Sequence, residues 1–591
     1  MQKMNLPTFL KNTDTISKTA SHEQLESFIH EIARTLPETG RNSFLEKFKA
    51  VVDSPKNKAD MNEMDDRIRQ ELKKEIDSTK ERLVAINKGE LCLDSEYNEY
   101  WDEWYDEDDD NIIFKDPLGL LDDIDKAMRL VHKCIDMEMY VEGFGLAELV
   151  SALELSVDGD YLDCYGQDLY LYDLDTNGLL SYSYTAYVKD AVYLAYMGND
   201  MEDRPDKIYC TMDQLNCYEL TLEDVMQSGE KELEDWNEFL ILWIGYLGSK
   251  LDRLSDRLIL EAQSMLDDED AVINNARLFA KNHPALFVQI LENGRKSKEP
   301  SQMLSIGKEA LSQIEDKYMI RSNIGLLTAE YAVKLNDIDE AEQCWFEAYR
   351  SETTPLNYLR IVTKSRDYTV YREQLTEIYE SVYAHSRKNN LYMYGGYNKL
   401  PENEMSKTEH NYLLFLDGKF DQVWKKAMNF KEALGWSETF MKDGMALFLL
   451  LLYKGEYLLP GIRKMCIKVM SSMRFVESAY NWGTGKVTEY GDVEALWKCF
   501  RIWKADKVIT DNNRKQWISG IENMLEKRVA GIMSNNRRNY YGECAGFIAA
   551  LSEVEEAAGL INSRQQILQK YKNAYPRRRT FHQELRDCGM V

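Results

Sequence analysis

The sequence predicts an all-α fold in which helix pairs stack into a solenoid, with an irregular acidic segment rich in Tyr and Asp in the first half. Turn-forming residues are scarce, since the 591 residues include only 31 Gly and 11 Pro, and this favours helices over many short strands. Apolar residues recur at helical spacing, as Leu25, Phe28, Ile29 and Ile32 do. A helix–turn–helix pattern also recurs in the second half, which is typical of repeat proteins.

The length of the chain and its local composition predict three regions. A single hydrophobic core does not grow to 591 residues, so several domains or an array of repeats are expected. The sequence predicts an N-terminal helical region over residues 1–90, an acidic helical and irregular region over residues 91–235, and an α-helical repeat array over residues 236–591. The array is expected to end in a capping helix.

The clearest repeat unit covers residues 327–355. Ala329 fills the small position of its first helix, and the second helix supplies Ala341, Trp345 and Ala348. Small residues are needed at these positions because the two helices cross closely. In this pattern the unit resembles a tetratricopeptide repeat. Weaker copies cover residues 411–430 and 444–465.

A second resemblance concerns the C-terminal half as a whole. The stretches DEAEQCWFEAYRSETTPLNYLRI, residues 339–361, and YKNAYPRRRTFHQEL, residues 571–585, are similar to the α-helical repeat region that follows the zinc domain in bacterial SWIM zinc-finger proteins. That zinc domain has a C-x-C motif followed by C-x-H, and this sequence contains neither. The resemblance therefore implies a helical-repeat binding scaffold without the zinc and without the nucleic-acid role proposed for that family.

Cysteine spacing and apolar runs predict the compartment. None of the ten cysteines forms a C-x-x-C or C-x-C pair, so we expect reduced, mostly buried thiols and no cofactor or metal. The N-terminus has no apolar signal region, and the longest apolar runs, residues 239–247 and 445–453, are shorter than the roughly 20 residues that span a bilayer. A cytoplasmic protein without a membrane partner is expected.

Residues 173–184 resemble a calcium-binding loop at their start. Asp173, Asp175, Asn177 and Gly178 occupy positions 1, 3, 5 and 6 of such a loop. Position 12, where an EF-hand has a bidentate Glu, is Tyr184. The sequence therefore predicts an acidic turn in which Gly178 has a positive φ, and no calcium site.

Charge is distributed unevenly along a chain whose net charge is −28. Residues 101–250 contain 9 Lys and Arg against 36 Asp and Glu, a net charge of −27, whereas residues 401–591 contain 29 against 23, a net charge of +6. The acidic region repels phosphate, which disfavours nucleic acid as a partner. The basic region suits an acidic partner or the acidic region of a second copy, so self-association stays open.

Five arginines in the basic region form the predicted partner-binding site. Three of them are consecutive beside aromatic residues, and two more precede a Tyr pair. Arginine binds carboxylate and phosphate in a bidentate manner, which makes such a cluster a candidate anion contact. The alternative is an exposed basic first turn at the end of the array. The five residues are Arg537, Arg538, Arg577, Arg578 and Arg579.

The predicted function is that of a non-catalytic protein-interaction scaffold with a protein or peptide partner. No H-E-x-x-H or G-x-S-x-G motif occurs in the sequence, which disfavours the corresponding zinc and serine hydrolases. Two alternatives stay open. One is a nucleic-acid- or anion-binding protein that uses the basic C-terminal region, and the other is an enzyme with an unrecognised site in residues 157–235.

Overall fold

The structure is a computed structural model that describes residues 6–21, 24–25, 28–29, 32–33, 41–52, 58–97, 112–159, 161, 168–216, 219–226, 228–229, 231, 233–297, 299–389, 400–428, 440–473 and 493–591. Helices account for 73% of it and strands for 4%. The mainly helical class predicted from the scarcity of Gly and Pro is therefore confirmed. Part of the acidic region, residues 98–111, lies outside the described residues.

The chain divides into two compact units. The N-terminal unit comprises Met1–Lys250 and Arg257–Asp267, and the C-terminal unit comprises Leu251–Asp256 and Asp268–Val591. The helices of the first unit are α1 (Leu6–Thr19), α2 (Arg41–Val52), α3 (Lys58–Asn87), α4 (Leu120–Asp136), α5 (Tyr140–Ser151), α6 (Leu171–Thr176), α7 (Tyr184–Met197), α8 (Arg204–Gln214), α9 (Leu222–Val225), α10 (Trp236–Gly248) and α11 (Arg253–Ser264), which the division cuts after Asp256.

The core of the N-terminal unit forms where α4, α5 and α7 pack on one another. In α4, Ile124, Met128, Val131 and Ile135 are buried, and their spacing of three and four residues makes one apolar stripe. The carboxylate of Asp116 accepts hydrogen bonds of 2.8 Å from the amides of Leu120 and Leu121, which fixes the start of the helix.

Two small sheets accompany these helices and were not predicted. Strand β1 (Leu93–Tyr97) pairs antiparallel with β2 (Ile112–Lys115) and parallel with β4 (Val157–Gly159), and β3 (Glu154–Leu155) pairs antiparallel with β5 (Leu169–Tyr170). Leu93 and Ser95 are buried while Asp94 and Glu96 are exposed, so β1 has the alternation of a half-buried strand. The strands are short and pair over long sequence distances, and local patterns therefore did not reveal them.

The C-terminal unit contains helices throughout its described length. They are α12 (Glu269–Phe279), α13 (Ala285–Ser297), α14 (Pro300–Gln313), α15 (Ile320–Lys334), α16 (Ile338–Ser351), α17 (Pro355–Lys364), α18 (Arg372–Asn389), α19 (Lys407–Leu416), α20 (Phe420–Ala427), α21 (Met441–Leu452), α22 (Pro460–Ser472), α23 (Val493–Lys504), α24 (Asp511–Ser534), α25 (Tyr541–Ala557), α26 (Ser563–Ala574) and α27 (Arg579–Asp587). In the described part of the chain, none of the helices is long and apolar enough to cross a membrane.

Helices α13 to α17 pack in chain order. Each contacts the next, and α13 also contacts α15. The helix pair predicted at residues 327–355 is confirmed, with Asn336 in the turn at φ 57° and the Asp337 side chain accepting from the Glu340 amide at the start of α16. Ala329, Ala341 and Ala348 are fully or almost fully buried, as the close helix crossing requires.

Packing is different after α19, because α25 becomes a central helix. Residues Cys544 to Val554 of α25 are all buried, and α21, α22, α24, α26 and α27 pack around them. Helix α23 also reaches back to α17. The predicted terminal helix exists as α27, and its Phe581 and Leu585 are buried. This part of the unit is thus a bundle around one helix. In α13 to α17, by contrast, each helix packs mainly on its neighbours in the chain.

Candidate functional site

The five predicted arginines lie in two turns of the C-terminal unit. Arg537 and Arg538 follow α24, directly after Asn536, whose φ is 52°. Arg577 and Arg578 lie between α26 and α27, and Arg579 is the first residue of α27. The structure brings the two turns together although they are about forty residues apart in the sequence, since Arg578 in one turn bonds to residues in the other.

Arg578 connects the two turns through its guanidinium group. Nη1 donates to the Asn536 side-chain oxygen at 2.6 Å, and Nη2 donates to the Met533 carbonyl at 2.7 Å. A cation at this place satisfies a carbonyl at the carboxyl end of α24 and interacts favourably with the helix dipole. Arg578 therefore has a structural role, which the sequence alone did not reveal.

This role gives a testable difference between neighbouring arginines. We expect Arg578→Ala to lower the free energy of unfolding by about 1–3 kcal/mol, because a charged donor to two acceptors is lost. Arg577→Ala should change it by less than about 0.5 kcal/mol, as an exposed substitution does. Chemical denaturation of both variants measures the difference, and equal effects would contradict the capping role.

The other four arginines form what we call the arginine surface: Arg537, Arg538, Arg577 and Arg579. All four side chains are exposed. Among the residues that the structure describes, no carboxylate forms an ion pair with them, whereas several other exposed arginines of this unit pair with acids, such as Arg366 with Asp339 at 2.9 Å. The arginine surface is therefore available to an external anion.

Aromatic rings beside the arginine surface are engaged within the protein. The Arg528 guanidinium lies 5.1 Å from the ring centre of Tyr540, and Tyr541 and Tyr575 pack edge-on against Phe581. Arg528 is itself 2% exposed and lies 3.3 Å from the Glu543 carboxylate. The rings and the buried ion pair hold the turn after α24 in place.

A second group of functional side chains lies in the N-terminal unit, where sequence reasoning identified none. His132 of α4 and Asp190 of α7 are 58 positions apart, and His132 Nδ1 lies 2.9 Å from Asp190 Oδ2. The Asp190 side chain is 6% exposed and that of His132 is 47% exposed. A neutral imidazole that donates from Nδ1 presents Nε2 as a base.

The surroundings of this pair shift the acid–base properties of its members. Burial raises the pKa of the Asp190 carboxyl to about 6, although the neighbouring His132 opposes the shift. Burial likewise raises the pKa of Tyr182, which lies beside Asp190. The Arg129 guanidinium lies 5.1 Å from the Tyr182 ring centre and donates to the Ser181 hydroxyl at 3.3 Å. The arrangement combines an oriented histidine, a hydroxyl and a cation.

A third cluster, in the C-terminal unit, is organised around the buried carboxylate of Asp417. It accepts from the Tyr379 hydroxyl at 2.9 Å and from Thr376 at 3.1 Å, and Lys419 lies 3.3 Å away. Lys419 also donates to the Tyr379 hydroxyl, at 2.8 Å. The groups satisfy one another, so the cluster stabilises the junction of α18, α19 and α20.

The neighbouring His410 stacks on Tyr383 with 3.8 Å between ring centres and lies 3.2 Å from Glu380. Burial lowers the pKa of His410, while Glu380 acts in the opposite direction. Because the imidazole is almost fully buried, we assign it to packing between α18 and α19.

An open groove of about 710 Å³ lies between the loop before α22 and helix α23. Its lining includes Tyr457, Trp497 and Ile502, and its sides carry the ion pairs Arg463–Glu494 and Arg501–Glu456. The groove thus combines apolar residues with two ion pairs and the exposed Lys498.

Beside the groove, Lys504 donates to the carbonyls of Leu450 at 3.0 Å and Tyr453 at 2.6 Å, at the end of α21. Burial lowers its pKa from 10.5 to about 7. Above about pH 7 the folded state loses this proton while the unfolded chain keeps it up to about 10.5, so stability rises with pH in this window.

We expect the free energy of unfolding of the wild type to rise with pH relative to Lys504→Met. Urea unfolding across this window measures the effect, and parallel curves would contradict it.

The segment that resembles a calcium loop begins inside a helix and continues as a turn. Helix α6 runs through Asp173 and Asp175, and the Asp173 carboxylate accepts from the Tyr170 amide at 2.9 Å. Gly178 has φ 66°, as predicted. Asp173 is therefore used to cap a helix. Within the described ranges, no group of three or more His, Cys, Asp or Glu side chains is placed to hold a metal ion.

The described cysteines carry free thiols, as predicted. Cys134, Cys344, Cys466 and Cys544 are among the buried ones, whereas Cys210 is exposed. Burial raises the pKa of Cys134 to about 11 and that of Cys344 to about 12. Such thiols stay protonated at neutral pH and are poor nucleophiles.

Two comparisons of the sequence with known proteins found no match. No protein-family model matches the sequence, and no curated protein matches it significantly.

Proposed function

We propose that this chain is a non-catalytic protein-interaction scaffold built from tetratricopeptide-like helical repeats. The observation that carries the proposal is the packing of α13 to α17 in chain order. Stacked helix pairs of this kind bury a continuous core and present an extended surface, which suits a peptide or a partner helix. The alanines at the α15–α16 crossing are the local feature that this architecture needs.

The use of polar groups in the C-terminal unit also supports a scaffold. Asp417 is surrounded by donors, and the buried Arg321 donates to the Ser351 hydroxyl and the Leu311 carbonyl. Polar groups that are satisfied within the protein make a core rigid and specific. A rigid framework presents partner-binding residues in a fixed arrangement, which lowers the entropic cost of binding.

The proposal also concerns compartment and assembly. Free, mostly buried thiols suit a reducing compartment, and we place the scaffold in the cytoplasm of a bacterium, as the resemblance to bacterial repeat proteins implies. The acidic and basic regions of different copies have opposite charges, so self-association belongs to the same proposal.

Affinity capture followed by reconstitution tests the scaffold. The full chain is used to isolate binding proteins from the native host, and each is then purified and mixed with the chain in a sedimentation experiment. We expect a complex of fixed stoichiometry. The proposal fails if no purified protein forms such a complex and the chain instead turns over a substrate.

A second candidate function is supported by the His132–Asp190 pair. A buried carboxylate that orients an exposed imidazole is an arrangement used in general acid–base catalysis. Asp190 and Tyr182 both lie in residues 157–235, where the sequence left an enzyme site open. A panel of model esters and phosphoesters tests this candidate. An activity lost in His132→Asn and kept in His385→Asn, an exposed histidine of the other unit, would favour the enzyme over the scaffold.

A further inference from the structure

We propose that the arginine surface binds a carboxylate-rich segment of a partner protein. The inference rests on the proposed scaffold function and names the chemistry of its partner. The surface consists of Arg537, Arg538, Arg577 and Arg579, which two turns bring together. Guanidinium groups bind carboxylates through paired hydrogen bonds, so a row of Glu and Asp side chains is a matching ligand.

These cations have no ion-pair partner among the described residues of the chain. The chain has 101 acidic residues against 73 basic ones, and arginines such as Arg277, Arg295 and Arg350 pair with Glu309, Glu330 and Asp316. In the ranges that the structure describes, no such pair involves the arginine surface. Positive charges gathered in two joined turns without ion-pair partners repel one another, and an acidic ligand would relieve that repulsion.

The framework beneath the arginine surface is fixed by internal contacts. Arg578 ties the two turns with hydrogen bonds of 2.6 and 2.7 Å, and Phe581 anchors the first turn of α27 in the core. The backbone positions of all four arginines are therefore set before a ligand arrives. Binding then costs mainly the ordering of four side chains, and several weak contacts add up in one ligand.

The surroundings of the arginine surface favour an acidic polypeptide over nucleic acid. Single-stranded nucleic acid gains much of its affinity from bases that stack on aromatic rings. Here one face of Tyr540 is covered by Arg528, and Tyr575 packs against Phe581. A long polyanion is also repelled by residues 101–250, whose net charge is −27.

Fluorescence anisotropy with the full chain tests the inference. The probes are a labelled peptide of alternating Glu and Gly and a labelled single-stranded DNA of equal charge, at about 150 mM salt, where exposed charges are screened over roughly 8 Å. One variant combines Arg→Gln at Arg537, Arg538, Arg577 and Arg579. The control variant combines Arg→Gln at Arg277, Arg295, Arg350 and Arg366, and so loses the same charge from paired positions. Thermal unfolding checks that both variants are folded.

We expect the wild type and the control variant to bind the peptide, and the arginine-surface variant to bind it about tenfold or more weakly. Tighter binding of the DNA than of the peptide overturns the inference in favour of nucleic acid. Equal peptide binding by the two variants, or no peptide binding by the wild type, also overturns it. The scaffold survives these outcomes if a purified partner still forms its stoichiometric complex with the arginine-surface variant, and it fails separately if no partner binds the wild type.

Discussion

Replacing Asp417 by Ala is expected to lower the free energy of unfolding by about 3 kcal/mol or more, because several donors would lose their shared buried carboxylate at once. The carboxylate is 4% exposed and accepts from Tyr379, Thr376 and Arg372. Its removal leaves the buried Tyr379 hydroxyl without an acceptor, at the cost of an unsatisfied polar group. It also removes a counter-charge of Arg372 and Lys419, which then repel each other more strongly.

The matched control is Asp421→Ala, four residues later at the exposed start of α20. This substitution removes the same chemical group from a helix N-terminus, where it is worth roughly 0.3–1 kcal/mol. Tyr379→Phe removes only the hydroxyl and its two hydrogen bonds, one donated to Asp417 and one accepted from Lys419, which contribute about 1 kcal/mol each. Urea unfolding of the three variants measures how much each substitution lowers the free energy of unfolding. If Asp417→Ala costs no more than Asp421→Ala, the cluster contributes little to the fold.

The relation between sequence and structure differs from one element to another. The α15–α16 pair was predictable because its alanines, its turn and its cap all lie within a short stretch, and local spacing decides the crossing of two consecutive helices. The same holds for Gly178, whose turn is set by its immediate neighbours. Strand β1 was not predictable, since each strand has only a few residues and one of its two partners, β4, is more than sixty residues away.

The candidate sites show the same limit more clearly. Sequence placed five arginines in one basic patch, and the structure joins their two turns. It also separates Arg578, which caps α24, from the four arginines that are exposed. No local pattern gives that distinction, because it depends on where the end of a helix meets a distant turn. His132 and Asp190 were missed for the same reason, as they meet only through the packing of α4 on α7.

The crossing of α22 and α25 gives the second large expected effect. A Cβ atom on Gly461 would lie 2.3 Å from the Ala550 amide nitrogen and 2.5 Å from the Ala549 carbonyl carbon. These are backbone atoms of the central helix and cannot turn aside as a flexible side chain does. Moreover, the Gly461 and Ile462 amides donate to the buried Glu553 carboxylate at 2.9 and 2.8 Å. A shift of α22 would stretch both bonds and leave Glu553 less well satisfied.

We therefore expect Gly461→Ala to lower the free energy of unfolding by about 2–3 kcal/mol, the upper part of the range for overpacked cores. Gly245→Ala is the matched control, because a Cβ at this helical position meets nothing within 4 Å. There the loss of a flexible glycine should stabilise the protein by roughly 0.5–1 kcal/mol. One added methyl group should thus destabilise the protein at position 461 and stabilise it at position 245. Thermal unfolding of both variants measures the two changes. A neutral Gly461→Ala would mean that α22 can move away from α25 without loss, and the tight crossing would then not be what holds this part of the bundle together.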